Sequence, residues 1–160
     1  MFNHAPADYQ CPFCAVIKGE EEKKFPYTRQ ADVIYRDEFI IAFVASHGWP
    51  NNKGHVLIVP KVHVENIYDI STGDFERVND FVRYLTIVMK KAYDCQGITI
   101  RQHNEPAGGQ DVFHYHTHVI PRYENDNFYA TEIVMSEPEI RKEYAEKLRL
   151  NIRENVYQKL

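Results

Sequence analysis

The run His114-Tyr115-His116-Thr117-His118-Val119-Ile120-Pro121-Arg122 places a histidine at every second position. Successive side chains of a β-strand point to opposite faces, so a strand through this run lines one face with His114, His116 and His118, each roughly 6–7 Å from the next. The other face carries Phe113, Tyr115, Thr117 and Val119, residue types that favour strands and pack on a core. The run therefore requires a sheet with one covered face and an imidazole row on the other. A neutral imidazole offers a lone pair on one nitrogen and a proton on the other, so such a row can bind a metal, transfer protons or attack an electrophile.

The rest of the chain supplies the partners of that strand. Val33 to Tyr35 and Phe39 to Ala45 read as strands joined by the polar turn Arg36-Asp37-Glu38, the pattern of a hairpin. The turn-rich stretch Ser46 to Gly54 leads into the strand Val56 to Val59, which Pro60 closes. From Asp74 to Asp94, Phe75, Val78, Val82, Leu85, Met89 and Ala92 follow helical spacing, with Ser71, Thr72 or Asp74 as N-cap and Gly97 beyond the end. Ile98 to Ile100 begins another strand. Ser136-Glu137-Pro138-Glu139 fits a capping box with Pro in the first turn, predicting a largely exposed helix from there towards Gln158. The charge run Glu20 to Lys24 reads as a solvated loop. Strands in the middle with helices interposed and at the end predict an α+β domain on a mostly antiparallel sheet.

At 160 residues the chain suits one domain with its own core. No apolar run approaches the roughly 20 residues that a bilayer requires, and Met1 to Gln10 does not read as a secretory signal, so a cytoplasmic protein without membrane partners is expected. A net charge of -4 gives no overall attraction to nucleic acid and leaves small anionic ligands open. Three cysteines, two in Cys11-Pro12-Phe13-Cys14, do not form a disulfide framework. His4 reads as tail, His47 as a loop residue and Cys95 as an ordinary thiol.

Several residues surround the histidine row. Gly108-Gly109-Gln110-Asp111 precedes it, and its glycines let backbone approach an anion closely. Gln110 adds an amide able to donate to phosphate or orient a nucleophile. His103 and Asn104 stand at the end of the previous strand, and His55 and His63 flank the strand that begins at Val56.

Gly54 to His63 and Gly109 to Arg122 resemble the two signature blocks of the histidine-triad (HIT) family of nucleotide hydrolases and transferases, and the similarity covers about Cys11 to Arg122. The resemblance implies a five-stranded antiparallel sheet with a long helix, here followed by a C-terminal helix. It sets residues 1–125 as the histidine-triad domain and 126–160 as a helical extension, in a homodimer. It assigns His116 as the nucleophile at the α-phosphorus, His118 and His55 to the phosphate region, and Gly109, Gln110 and Asp111 to the phosphate and leaving group. His103 or Asn104 fills the remaining nucleotide contact. A purine nucleotide such as AMP or GMP is the implied ligand, with no organic cofactor. His118 stands where the galactose-1-phosphate uridylyltransferase branch has Gln, which favours hydrolysis of nucleoside phosphoramidates, dinucleoside polyphosphates or related adenylylated compounds, with protonated histidines and backbone donors in place of Mg²⁺. The chain departs from the family in having His103 for an Asn or Gln, Glu105 for a Gly, and Ala45 near the position of an acid or amide that meets the ribose.

Some bacterial members of this family hold zinc, and the resemblance maps its ligands onto Cys11, Cys14, His63 and His114. Four protein ligands fill a tetrahedral shell, so the implied Zn²⁺ is structural. Three other readings remain open: an open catalytic metal site on the histidine row, a nucleotide-binding adaptor with little turnover, and a redox or unmetallated Cys pair.

Overall fold

Asp37 shapes the first hairpin: its Oδ1 accepts the backbone N–H groups of Phe39 and Ile40, both at 2.8 Å, and so turns the chain between β1 (Val33–Arg36) and β2 (Ile40–Val44). In this computed structural model, which describes residues 2–21, 25 and 27–154, the two strands are joined by β4 (Val56–Pro60), β6 (Thr117–Arg122) and β5 (Gly97–Gln102). The result is a five-stranded antiparallel sheet of order β1-β2-β4-β6-β5. A two-stranded sheet pairs β3 (His47–Gly48) with β7 (Val134–Met135). The α+β class and antiparallel sheet are those expected from the sequence.

Every residue of β2 and β4 is buried, because both faces of the central strands are covered. On one face lies α2 (Thr72–Tyr93), capped by Ser71 Oγ accepting Asp74 N–H at 3.1 Å. Its buried stripe of Val78, Phe81, Val82, Leu85, Val88 and Met89 packs against Ile40, Ala42, Val44, Val56 and Ile58. Phe75, expected on that stripe, is exposed. On the other face α1 (Pro12–Lys18) sets Phe13 and Val16 against Ile41, Phe43, Leu57 and Val59. Two-sided cover explains why these strands read as continuous apolar runs.

The histidine run departs from the expected strand. Pairing begins only at Thr117, while the backbone N–H of His114 donates to Val112 O at 2.8 Å and that of Tyr115 to Val64 O at 2.7 Å. A local turn at His114 and a long-range bond to Val64 thus occupy the donors that a ladder would use. Alternation of sides persists: Tyr115 and Val119 enter the core beneath α2, and Leu57, on the face covered by α1, is the cross-strand partner of His118.

The C-terminal helix α3 (Pro138–Glu154) begins at Pro138, one residue later than the capping box requires. Ser136 instead extends the β3–β7 pairing, its N–H donating to Ser46 O at 2.8 Å. The helix is less exposed than its charges imply. Arg141, Ala145 and Leu148 form a buried stripe, with Ala145 and Leu148 in the same core as α2. Arg141 Nε meets Asp32 Oδ2 at 3.1 Å in a buried ion pair, and removing one partner strands the other charge. The segment after residue 125 therefore shares the core of what precedes it. Gln158 lies outside the described residues.

Two further expectations change. Glu21 is buried, accepting from Gln30 Nε2 at 3.0 Å, so the solvated reading of Glu20 to Lys24 fails there, and residues 22–24 are outside the described set. His4 is held by Glu105 at 2.9 Å and is not a free tail. No helix among the described residues is long and apolar enough to cross a membrane.

Candidate functional site

Hydrogen-bond partners fix the protons of the histidine cluster. His116 is buried, and its Nδ1–H donates to the His114 carbonyl at 2.7 Å, which leaves the Nε2 lone pair free. His55 donates from Nδ1–H to the His47 carbonyl at 3.2 Å, so its Nε2 accepts the Nδ1–H of His118 at 2.9 Å. His118 Nε2 is then a bare lone pair, buried and without a hydrogen-bond partner among the described residues. The rings of His116 and His118 are 4.8 Å apart between centroids, and His103 meets His118 edge-on at 5.4 Å.

Burial lowers His55 and His116 to about 4 and His118 further still, so these imidazoles are neutral near pH 7. Desolvation is the largest cause of each shift, because a buried imidazolium gives up solvation that the neutral ring does not need. An incoming phosphate is an anion that shifts the balance back towards protonation.

His55, His116 and His118 open onto a cleft of about 160 Å³, walled by Phe13, Ala45, Trp49, Leu57 and Ile133, with Asp111 at the edge. Few polar groups on mostly apolar walls is the usual composition of a small-molecule site. Ala45, where the family places a ribose contact, offers only a methyl group. Phe13 meets His116 edge-on at 5.1 Å between centroids.

The Gly-rich loop is organised differently from the sequence expectation. Gly109 has φ +85°, and a Cβ there would lie 3.1 Å from His103 Nδ1, whose proton goes to Gly108 O at 2.7 Å. Glu105, in place of the family glycine, has φ 62° and ψ 157°, a conformation that side chains rarely adopt. Gln110 holds it, accepting Glu105 N–H at 2.8 Å and donating from Nε2 to Glu65 O at 2.6 Å and Val112 O at 3.1 Å. The Gln110 amide is thus spent on the loop. Asn104 likewise accepts Ile67 N–H at 2.8 Å and pairs with the Gln102 amide. Histidines 55, 103, 116 and 118 are brought together; Gln110 and Asn104 support them from behind.

A second cluster lies one residue turn away. The ligand atoms of Cys11, Cys14, His63 and His114 all fall within 4.8 Å of one another. Cys11 Sγ is 3.3 Å from His114 Nδ1, and Cys14 Sγ is 3.3 Å from His63 Nδ1 and 3.6 Å from His114 Nδ1. A tetrahedral zinc with sulfur at about 2.3 Å and nitrogen at about 2.0 Å separates such atoms by about 3.5 Å. His114 Nε2–H donates to Pro60 O at 2.9 Å, turning the Nδ1 lone pair towards the sulfurs. The Cys14 thiol is lowered to about 3, first by the hydrogen bond from Cys11, so the pair already supplies one thiolate. The donor set fits a metal.

Phe13, Trp49 and Ile133 escaped the sequence reading as cleft residues. Phe13 carried a signal, lying between two metal-type cysteines that would tether it; Ile133 carried none, since it arrives through the pairing of β7 with β3.

The five-stranded antiparallel sheet carries a histidine row beside an apolar cleft, and the HIT domain family model matches residues 28–125. The chain belongs to the HIT family. It is 38% identical over 116 residues to an uncharacterised HIT-like protein of Methanocaldococcus jannaschii, covering 72% of this chain and 81% of that one. It is 29% identical to the adenylylsulfatase HINT3 of Arabidopsis thaliana, over 76% of this chain and 57% of that protein. The crystal structure of a zinc-bound histidine triad family protein from Mycobacterium smegmatis superposes with a TM-score of 0.74 and 25% identity, over 91% of this chain and 94% of that one.

Proposed function

We propose that this chain is a nucleotide hydrolase that cleaves the linkage at an α-phosphate through a nucleotidyl-histidine intermediate. One observation carries the reading: His116 is held by its Nδ1–H on the His114 carbonyl, so its Nε2 lone pair is available at the cleft. Nε2 forms a bond to the α-phosphorus while the bond from phosphorus to the leaving group breaks, its electron pair departing with that group. In the second step His118 Nε2 accepts a proton from water, the water oxygen bonds to phosphorus, and the N–P bond breaks with its pair returning to His116. The product is a nucleoside 5′-monophosphate, with AMP or GMP the expected purine forms. Gly109 lets backbone donors approach the phosphate, His55 orients His118, and Asp111 lies at the leaving-group edge.

Nucleoside phosphoramidates, dinucleoside polyphosphates and adenylylated compounds such as the substrate named for the Arabidopsis relative share the required α-phosphate linkage. Zn²⁺ at Cys11, Cys14, His63 and His114 would have a full shell, supplying cross-linking of α1 to the histidine run and no open coordination position. A cytoplasmic homodimer completes the reading; β5, at the sheet edge with Ile100 half exposed, is the surface available for pairing.

Product chromatography over a panel of adenosine and guanosine phosphoramidates and dinucleoside polyphosphates tests the proposal. A 5′-monophosphate released by the wild type and absent with His116→Ala is expected. Tight AMP binding with no product from any substrate would select the adaptor instead, and activity abolished by chelation with an ion on His116 would select the metal hydrolase.

A further inference from the structure

Arg101 lies directly across the sheet from His118, its cross-strand partner in the β5–β6 ladder, so both side chains leave the same face. His118 has Leu57 of β4 as its partner on the other side. The apolar cleft is walled from the β4 side, by His55 and Leu57, whereas Arg101 flanks the row from β5.

The guanidinium is held without being neutralised. Its Cζ lies 4.6 Å from the Phe128 ring centroid, 5.5 Å from that of Tyr129 and 5.6 Å from that of Trp49. Aromatic faces attract a cation and restrict its rotamers, yet they leave its edge N–H donors for another ligand. Among the described residues no carboxylate pairs with Arg101, whereas neighbouring Arg122 is bound through Nε and Nη2 to Asp126 at 2.6 and 2.9 Å. Its charge is also felt within the cluster, where it opposes protonation of His55 and His118. Phe128 and Tyr129 come from the segment beyond residue 125, where the family match ends, and Tyr129 is 81% exposed. Phe128 and Tyr129, together with Trp49 of the cleft wall, thus fix a cation with no carboxylate partner among the described residues on the β5 flank of the row. A nucleoside seated in the cleft with its α-phosphorus at His116 directs whatever else is attached to that phosphorus out of the cleft.

We infer that Arg101 determines leaving-group specificity by binding an anionic phosphate or sulfate group attached to the α-phosphorus, an inference that rests on the nucleotidyl-transfer reading above. The guanidinium fork matches two oxygens of either anion, and an uncharged amine leaving group gains nothing from it.

The test compares diadenosine triphosphate, adenosine 5′-phosphosulfate and adenosine 5′-phosphoramidate as substrates of the wild type, Arg101→Met and Arg101→Lys. Methionine keeps an apolar stem against the rings, and melting temperature reports any loss of fold. In Arg101→Met, kcat/KM for one or both anionic leaving groups should fall about ten- to a hundredfold further than for the phosphoramidate, with partial recovery in Arg101→Lys. A selective loss with the triphosphate alone assigns the site to a phosphate chain, and with the phosphosulfate alone to sulfate. Equal losses on all three substrates, or no loss on any, would overturn the role of Arg101. A wild type that cleaves none of the three would instead overturn the nucleotidyl-transfer reading beneath it.

Discussion

The backbone carbonyl of His114 accepts the Nδ1–H of His116 at 2.7 Å, while the His114 ring turns its own Nδ1 to Cys11 Sγ at 3.3 Å. A single residue thus faces the sulfur cluster with its side chain and orients the proposed nucleophile with its backbone. The two rings have opposite tautomers because their carbonyl partners differ: Pro60 O takes the Nε2 proton of His114, and His114 O takes the Nδ1 proton of His116.

Replacing His116 with Ala removes the proposed nucleophile, the Nε2 lone pair that the His114 carbonyl orients. Turnover should fall about a thousandfold or more, while AMP affinity changes far less, because Phe13, Trp49, Leu57 and the Gly-rich loop remain. Steady-state rates and equilibrium AMP binding check both halves. Mass spectrometry without acid, with hydrolysis slowed, should show the nucleotide adduct on wild-type protein. Wild-type turnover in His116→Ala would sink the mechanism.

Gly109→Val tests the loop. At φ +85° a side chain is strained, and the added Cβ meets His103 Nδ1 at 3.1 Å. The strain of about 1–3 kcal/mol should be relieved by loop movement, weakening AMP binding and lowering kcat/KM together by about tenfold or more. Calorimetric AMP affinity and rate unchanged from wild type would show that this loop does not cradle the phosphate.

How far the sequence reached depends on the kind of signal each part carries. The hairpin, the long helix and the sheet were legible because Asp37, Ser71 and the apolar stripe of α2 act locally or periodically. The Cys–His cluster was legible only through resemblance, since Cys14 and His63 are distant in sequence and meet through packing. The hydrogen bonds of Gln110 were not legible, because an amide beside two glycines does not reveal that the backbone N–H of Glu105 donates to its oxygen. The histidine strand was read too long for a related reason: periodicity reports which side a residue takes, and Val64 O, which captures the Tyr115 N–H, is invisible to it. Arg101 carried no sequence signal at all, because its importance comes from the register with His118 and from rings beyond residue 125.

The neutral cluster has a measurable pH signature. Burial lowers His55 to about 4 from an ordinary 6.5, so the unfolded chain binds this proton more tightly than the folded protein. The stability contributed by neutral His55 is therefore fully present well above pH 6.5 and is lost as pH falls through 6.5 towards 4, by about 1–2 kcal/mol at pH 5.5. An NMR titration should place the His55 imidazole midpoint near 4 in free protein and higher with AMP bound, since the phosphate favours the cation. The melting temperature of His55→Asn should depend less steeply on pH than that of the wild type over the same range. A free-protein midpoint near 6.5 would mean that the cluster is hydrated and not arranged as described.

One zinc per chain on Cys11, Cys14, His63 and His114 should tie α1 to the histidine run, with Phe13 carried between the two cysteines against His116. Binding favours the folded state, so Cys11→Ser with Cys14→Ser should lose the metal and melt about 5 °C or more below the wild type. Zinc affinity should fall as pH drops, because ligation needs thiolates and neutral imidazoles. The kinetic effect should be indirect: with α1 released, Phe13 no longer closes the cleft and KM rises, while His116 still forms its adduct. Elemental analysis of tag-free protein, melting curves and a KM-against-kcat comparison examine these consequences separately. Zinc absent after growth and refolding with the metal would defeat the assignment. Zinc bound through His116 with an open coordination position would defeat it too, and would move the chemistry from a histidine nucleophile to a metal centre.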